Sequence, residues 1–492
     1  MKGFLAAGTI AIAATLASAG PAPSPAKIEA RQTSSSSASV PTVTVRGNAF
    51  YAGDQRFYIR GLDYQPGGAS DAEDPLADPA VCRRDLEYFR RLGINTIRVY
   101  TIDNTANHDI CMNELAAAGI YVALDVNTPL YSINRADPGP SYNPTYLQSV
   151  FATMDVFSKY PNTLLYFNGN EVINDPQTSN TAPYVKAVGR DMKQYRISRG
   201  LRPIPIGYSA ADVEENRYES ALYFNCGTDD QRSDFFAFND YSWCDPDEYA
   251  GSEWERKVDQ YRNYSLPLLY VPPFPSSPTP PPLQPSNMAP SLSEYGCVTN
   301  ERVFGEVAPL YREMTPVYSG GLVYEYTEEG NLYGIVSVRG STVEPENDFE
   351  DLRRQFAENP APQGNGGARD TPAQANECPA VSTDWNLEAF PDAALPSLPE
   401  GAERFFREGA GRGPGLGGSG SQNAGGESRG TASPGSGSAT VFVTGATQTG
   451  GGSAATSSAA ASSVKGAQGM GYGAFVTVGA VFVGSLLGAA LL

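Results

Sequence analysis

Two glutamates in this sequence occupy positions where a carboxylate could do chemistry. Glu171 follows Asn170 at the end of the apolar run TLLYFNGN (163–170), and Glu294 lies in the segment LSEYGC (292–297). Cleaving a glycosidic bond with retention needs one carboxylic acid that protonates the leaving oxygen and a second carboxylate, about 5–5.5 Å away, that attacks the anomeric carbon. Asn170 suits a hydrogen bond to the sugar 2-hydroxyl. The pattern therefore predicts a catalytic pair, although either Glu taken alone could be a solvated loop charge.

Composition excludes several other kinds of catalytic centre. The 492 residues include a single histidine, His108, which rules out a Ser-His-Asp or Cys-His mechanism. The cysteine spacings do not resemble a zinc site, and we expect neither a metal nor a cofactor. The formal net charge of −19 argues against binding nucleic acid or an anionic surface, and it is compatible with a neutral polymer.

The two glutamates are 294 − 171 = 123 residues apart, so only the fold can bring them together. Short apolar strands alternate with amphipathic helices along the chain. Strands are predicted at 57–65, 94–101, 120–127, 163–171, 203–210, 235–243 and 320–326, and helices at Ala80–Leu92, Asp109–Ala118, Thr145–Lys159, Tyr184–Ser198, Glu253–Tyr264 and Val303–Met314. The strands are continuous apolar runs, as expected for a parallel sheet that helices cover.

This strand–helix unit, repeated about eight times, predicts an α/β fold of the (β/α)8 TIM-barrel type. A doubly wound open sheet is the alternative, but no Gly-rich phosphate turn follows the first strand. In the barrel Glu171 ends strand four and Glu294 ends strand seven. The active face of such a barrel lies at the C-terminal ends of its strands. Polar and aromatic residues occur at these ends: Asp63, Tyr64, Gln65, Arg98, Tyr100, Asp125, Asn170, Asn239, Tyr241 and Tyr324.

Both ends of the chain carry targeting signals rather than a fold. Residues 1–19 combine Lys2, an apolar core and a final Ala-Ser-Ala, which is typical of a cleaved signal peptide. Residues 20–40 and a Gly/Ser-rich stalk, 407–463, are predicted to be disordered, which leaves 41–406 as the folded domain. Residues 464–492 end in an apolar tail and predict a GPI-anchor propeptide, with a tail-anchored helix as the alternative. The candidate attachment residues are Ala460, Ala461, Ser462 and Ser463.

A Pro-rich run, 271–291, interrupts the chain where the seventh strand should lead to Glu294. Proline has no backbone N–H to donate, so a central barrel strand cannot be built from this run. Two readings stay open. The run is either a surface loop, with a short strand re-formed from Pro290–Glu294, or a translated intron whose removal joins SLPLLY directly to LSEYGC.

Six cysteines lie in the folded part, and in an exported protein they predict three disulfides whose connectivity the composition leaves open. Asn263 begins the sequon Asn-Tyr-Ser, which predicts an exposed N-glycosylation site.

Several motifs together resemble a known family. In sequence and order they are similar to motifs of fungal GPI-anchored β-1,3-glucanosyltransferases of glycoside hydrolase family 72. The motifs are GLDYQPGG (61–68), IRVYTID (97–103), HDICM (108–112), YFNGNE (166–171), NDYSWC (239–244), SEYGC (293–297) and GGLVYEYTEE (320–329). The resemblance implies that Glu171 is the acid/base and Glu294 the nucleophile. It also implies glucan-binding roles for Gln65, Tyr100, Asp125, Asn170, Tyr241 and Tyr324, and the disulfides Cys82–Cys111, Cys226–Cys378 and Cys244–Cys297.

The resemblance covers about 43–379 and implies an enzyme that cleaves an internal β-1,3 bond and passes the glucan to the non-reducing end of another chain. The expected partners are donor and acceptor β-1,3-glucan chains and, through GPI, the outer leaflet of the plasma membrane; the expected location is the cell surface and wall. A β-1,3-glucanase with the same two Glu, and a non-catalytic wall-binding protein, are the alternatives. No Cys follows Cys378, so the shorter family type without a Cys-rich binding module is expected.

Overall fold

The computed structural model describes residues 40–68, 72–270, 297–298, 300–387, 390, 394–422 and 431–432. They belong to one compact unit of the chain, 1–444. The predicted signal peptide, the Pro-rich run, Glu294 and the candidate anchor residues lie outside this part. Within it, no helix combines the length and apolar character that crossing a bilayer requires.

A small antiparallel sheet precedes the barrel and was not predicted from the sequence. Its strands are β1 (Val43–Arg46), β2 (Ala49–Ala52) and β3 (Gln55–Phe57). Gly47 and Gly53, at φ 54° and 61°, form its two tight turns. Phe50 and Phe57 pack against residues of the barrel interior, with ring centroids of Phe50 and Phe235 5.9 Å apart. The sheet therefore extends the barrel's apolar interior.

Eight parallel strands close into a barrel, which confirms the predicted fold and excludes the open sheet. In chain order they are β4 (Ile59–Asp63), β5 (Thr96–Val99), β6 (Tyr121–Asp125), β7 (Thr163–Asn170), β8 (Ile206–Ala210), β9 (Phe235–Phe238), β10 (Leu268–Tyr270) and β11 (Tyr318–Val323). β11 pairs with β4 and closes the ring. Later come the hairpin of β12 (Val336–Arg339) and β13 (Thr342–Pro345), and the pair of β14 (Leu395–Pro396) and β15 (Thr431–Ala432).

Helices follow most barrel strands and agree in position with most of the predictions. They are α1 (Pro79–Leu92), α2 (Asp109–Ala117), α3 (Pro138–Ser141), α4 (Pro144–Phe157), a 3₁₀ turn (Gln177–Thr181), α5 (Ala182–Ser198), α6 (Arg217–Phe224), α7 (Glu253–Tyr261), α8 (Val307–Leu310), α9 (Phe349–Glu358) and α10 (Glu403–Glu408). The predicted helix Val303–Met314 is wrong in length, because Phe304 takes the left-handed value φ 57° and only α8 remains. The sequence analysis missed α3, α6, α9 and α10.

The seventh strand, β10, ends at Tyr270, immediately before the Pro-rich run. It pairs with β9 on one side and β11 on the other, so Leu268–Tyr270 already fills the seventh position of the barrel. A strand re-formed from Pro290–Glu294 is not needed to close the ring.

The three disulfides join the pairs that the family resemblance implies. Cys82–Cys111 links α1 to α2, Cys226–Cys378 follows α6, and Cys244–Cys297 follows β9. Asn263 is exposed in a turn after α7, where a glycan has room.

The first residues of the predicted stalk are ordered, although the sequence analysis predicted disorder for them. Residues 409–422, which we call the C-terminal strap, lie against the barrel, and Ala410 and Ser421 are buried. The prediction weighed only the apolar surface that this Gly-rich segment could bury. Its backbone is instead held by polar side chains of the barrel, and Gly413 approaches Asn104 so closely that a Cβ would lie 2.1 Å from Oδ1. Disorder is therefore the wrong description for 407–422.

Candidate active site

Glu171 stands at the C-terminal end of β7, where the sequence analysis placed it. Its amide donates to the carbonyl of Ser209 at 2.9 Å, which ties it to the neighbouring strand β8. Arg135 donates to the carbonyls of Glu171, at 2.5 Å, and Val172, at 3.0 Å. Glu171 has φ 49°, a strained value for a residue with a Cβ. Strained backbone held by several bonds is common at functional sites.

The Glu171 carboxyl group is buried and has one amide partner. Asn239, just after β9, donates from Nδ2 to Oε1 of Glu171 at 2.5 Å. Burial raises the pKa of Glu171 to about 8, while Asn239, Arg135 and Arg98 act to lower it. At neutral pH the group is therefore largely protonated, as a general acid requires. The sequence analysis placed Asn239 at a strand end without a role, because β8 lies between β7 and β9 and no local signal indicates the contact.

A cavity of about 410 Å³ opens at the end of β7, where the residues on either side of Glu171 in the chain line it and Glu171 itself does not. Three of the predicted glucan-binding residues line it, namely Tyr100, Asp125 and Asn170, and Val172 lines it on the other side of Glu171 in the chain. The amide oxygen of Asn170 is buried and accepts no hydrogen bond within the described residues. That oxygen is therefore available to a sugar hydroxyl.

Asp125, which lines the cavity, belongs to a buried ion pair that the sequence did not reveal. Arg98, fully buried, donates to both carboxylate oxygens of Asp125, at 2.8 and 3.0 Å. Its guanidinium also stacks over the rings of Tyr100, at 4.5 Å, and Phe167, at 4.1 Å. Burial raises the pKa of Asp125 and the Arg98 charge opposes that rise. The pair orients Asp125 and Tyr100 together.

Gln65 is placed behind Tyr100 rather than in the cavity lining. Its side-chain oxygen accepts from the amides of Tyr100 and Thr101, both at 3.2 Å, and its nitrogen donates to the carbonyl of Glu73 at 2.8 Å. These bonds make it a residue that positions the loop after β5.

Tyr241 and Tyr324 lie in a separate aromatic group after β9 and β11. Each has its ring near that of Tyr333, with centroids 5.6 and 5.5 Å apart. The sequence analysis missed Tyr333, since it lies nine residues beyond Tyr324 in a loop. Beside them Glu325 is buried and accepts from Asn331 at 2.7 Å, and burial raises the pKa of Glu325 to about 8. Neither tyrosine lines the cavity beside Glu171.

Glu294, the predicted second carboxylate, lies outside the described residues. The nearest described residue that follows it is Cys297, whose disulfide to Cys244 ties this part of the chain to the loop after β9. His108 is buried with Nε2 2.7 Å from Asp74 Oδ2, as fits a structural residue. Among the described residues no group of three or more His, Cys, Asp or Glu could hold a metal ion.

Comparison with known proteins gives consistent matches. The model of glycoside hydrolase family 72, described as Glucanosyltransferase, matches residues 32–272 and 286–360. The 1,3-beta-glucanosyltransferase gel1 of Aspergillus fumigatus is 54% identical over 381 residues, which are 77% of this chain and 78% of the relative. PGA4 of Candida albicans, also named a 1,3-beta-glucanosyltransferase, is 48% identical over 374 residues, 75% of this chain and 77% of the relative.

Among solved structures, Saccharomyces cerevisiae Gas2p in complex with laminaritriose and laminaritetraose matches with a TM-score of 0.64 and 34% identity. The match covers 74% of this chain and 78% of that one. The family match is interrupted at 273–285, inside the Pro-rich run.

Proposed function

This chain belongs to the glucanosyltransferase family, glycoside hydrolase family 72, and on that premise we propose that Glu171 and Glu294 carry out a retaining transfer between β-1,3-glucan chains. The protein is a glucanosyltransferase acting on β-1,3-glucan. The observation that supports the role of Glu171 is its buried carboxyl group with a raised pKa, at the end of the fourth barrel strand and beside a polar cavity.

In the first step the proton of Glu171 goes to the oxygen of the bond being cleaved, and the Glu294 carboxylate attacks the anomeric carbon. The reducing-end fragment leaves, and the rest of the donor becomes an ester of Glu294. In the second step Glu171, now a carboxylate, removes the proton from the 3-hydroxyl at the non-reducing end of an acceptor chain. That oxygen displaces Glu294, so a β-1,3 bond forms and Glu171 regains its proton.

The cavity residues suit the donor sugar in this scheme. Asn170 offers its unpaired amide oxygen to a hydroxyl next to the reacting carbon, and Asp125 and Tyr100 are held for further polar contacts by Arg98. Tyr241 and Tyr324 are buried against Tyr333, so their proposed glucan-binding roles rest on the family resemblance. Gln65 positions Tyr100 by accepting a hydrogen bond from its backbone amide.

Transfer and hydrolysis differ in the acceptor, which is a second glucan chain in transfer and water in hydrolysis. The purified enzyme is incubated with reduced laminari-oligosaccharides of a single length, and products are resolved by length. We expect products longer than the donor, because an acceptor chain competes with water for the ester on Glu294. Release of shorter fragments alone would indicate a hydrolase, and an unchanged donor, with normal folding, would indicate a binding protein.

We also propose that a GPI anchor holds the enzyme on the outer face of the plasma membrane and in the wall. The support is the sequence alone: the signal peptide, the small residues 460–463 and the apolar tail of 464–492. Phosphatidylinositol-specific phospholipase C should release the protein from membranes, and a chain that ends at Ser463 should be secreted. Retention after phospholipase treatment would indicate a membrane-spanning tail.

A further inference from the structure

The C-terminal strap, 409–422, is bonded to the barrel at successive points. The amide of Ala410 donates to the Tyr195 hydroxyl at 2.9 Å, and Gln148 Nε2 donates to the carbonyl of Ala410 at 3.0 Å. Further along, the amide of Gly415 donates to Asn104 Oδ1 at 3.0 Å. The Tyr131 hydroxyl then donates to the carbonyl of Gly417 at 2.8 Å. The path of the strap is therefore fixed by the barrel.

The strap ends at the cavity beside Glu171. Ser421 is fully buried, its amide donates to the carbonyl of Leu130 at 2.9 Å, and its carbonyl accepts from Asn143 at 2.6 Å. Gln422 Nε2 donates to Ser132 twice, to the backbone oxygen at 3.0 Å and to Oγ at 3.1 Å. These bonds connect the strap to the loop 128–135, and both Gln422 and Ser132 line the cavity.

The Gln422 carboxamide is chemically suited to a sugar. Its nitrogen is committed to Ser132, which fixes the orientation of the amide, and its oxygen accepts no hydrogen bond from the described part of the chain. Glucose hydroxyls donate readily to such an oxygen. The cavity lining also includes Asn134, Asp125 and Arg135, so several polar groups face one space.

We infer that the strap forms one wall of the glucan-binding cleft and that Gln422 accepts a hydrogen bond from a glucose hydroxyl there. This glucose subsite rests on the proposed placement of the glucan beside Glu171. It makes Gln422 a residue for substrate binding, supplied by a segment whose composition resembles a linker. Substitution of Gln422 should therefore weaken sugar binding and leave the rate of the chemical step unchanged.

The test measures steady-state kinetics of the full secreted chain with Gln422→Ala and Gln422→Met, varying laminari-oligosaccharide donor at fixed acceptor and acceptor at fixed donor. A lost hydrogen bond should raise KM by about threefold to tenfold in one of the two arms, with kcat within about twofold. The arm that responds assigns the subsite to the donor or the acceptor side. Gln422→Met keeps the length of the side chain and should behave like Gln422→Ala.

Gln148→Ala is the matched control, because it removes a glutamine bond to the strap outside the cavity. Its KM should stay at the wild-type value. A KM increase as large for Gln148→Ala as for Gln422→Ala, or no increase for either Gln422 variant, would overturn the inference. Asn170→Ala tests the proposed active site itself. If Asn170→Ala and the Gln422 variants all leave activity intact, the proposed site is wrong. If Asn170→Ala impairs activity and the Gln422 variants do not, only the subsite is wrong.

Discussion

The fourth and seventh barrel strands each lead to one of the two glutamates, but they differ in construction. β7 has eight residues, seven of them buried, and continues into Glu171 through a bond to β8. β10 has three residues, and the Pro-rich run follows it directly. The acid is therefore positioned by main-chain pairing and burial. After β10, the next described residue is Cys297, which is held by its disulfide to Cys244.

The largest expected effect separates the chemical roles of these two positions. Glu294→Gln should abolish transfer and prevent trapping of a glycosyl-enzyme, because no nucleophile remains. Glu171→Gln should lose about 10²–10⁴-fold with glucan donors yet keep most activity with donors that have good leaving groups, since these need little protonation. Mass spectrometry of the trapped enzyme and rates on both donor types provide the measurement. Equal losses for both variants on both donors would contradict the assignment.

The next effect concerns the chain between β10 and Glu294. We predict that the mature transcript lacks the codons for 271–291, because this run cannot form a barrel strand and the family match is interrupted at 273–285, inside the run. Removing the run should raise activity, since about 1 Å of misplacement at a catalytic group can cost on the order of a hundredfold in rate.

Sequencing the transcript and assaying both purified forms provides the measurement. A transcript that encodes the run, together with a fully active enzyme that contains it, would rule out the intron reading. Residues 271–291 would then form a surface loop of the mature protein.

The contrast between the two strands also marks what the sequence could predict. The barrel and the place of Glu171 follow from local signals, namely apolar runs and a polar residue at each end. Asn239 as partner of Glu171, and Arg98 as partner of Asp125, depend on which strand ends meet. The C-terminal strap escaped prediction because its backbone hydrogen bonds to Asn104, Tyr131 and Gln148 replace the apolar burial on which the prediction of disorder relied.

A smaller effect is expected from the disulfide next to Glu294. Replacing Cys244 and Cys297 together by Ala should lower kcat by about tenfold, because the nucleophile segment loses its tie to the loop after β9. The matched control replaces Cys226 and Cys378, whose disulfide joins the end of α6 to residue 378, so that neither cysteine adjoins a catalytic glutamate in the chain. That double variant should lower the melting temperature with little change in kcat. Similar kcat values for the two double variants would show that the Cys244–Cys297 disulfide has no special part in positioning.

The last expected effect is on stability, and it tests whether burial of the Glu171 carboxyl group raises its pKa. The folded-state pKa of Glu171, about 8, lies above the usual value of 4.5 for the unfolded chain. The folded state therefore binds its proton more tightly, and this contribution to stability is complete below pH 4.5 and is lost as pH rises through 8. Glu171→Gln removes the titration, so its melting temperature should rise relative to wild type between pH 5 and pH 8. Glu400→Gln, at an exposed position, is the control and should show a constant difference. A constant difference for Glu171→Gln as well would mean that burial does not raise the pKa of this acid. The fourth strand would then present an ionised carboxylate, and Glu171 would need a bound substrate to become the proton donor.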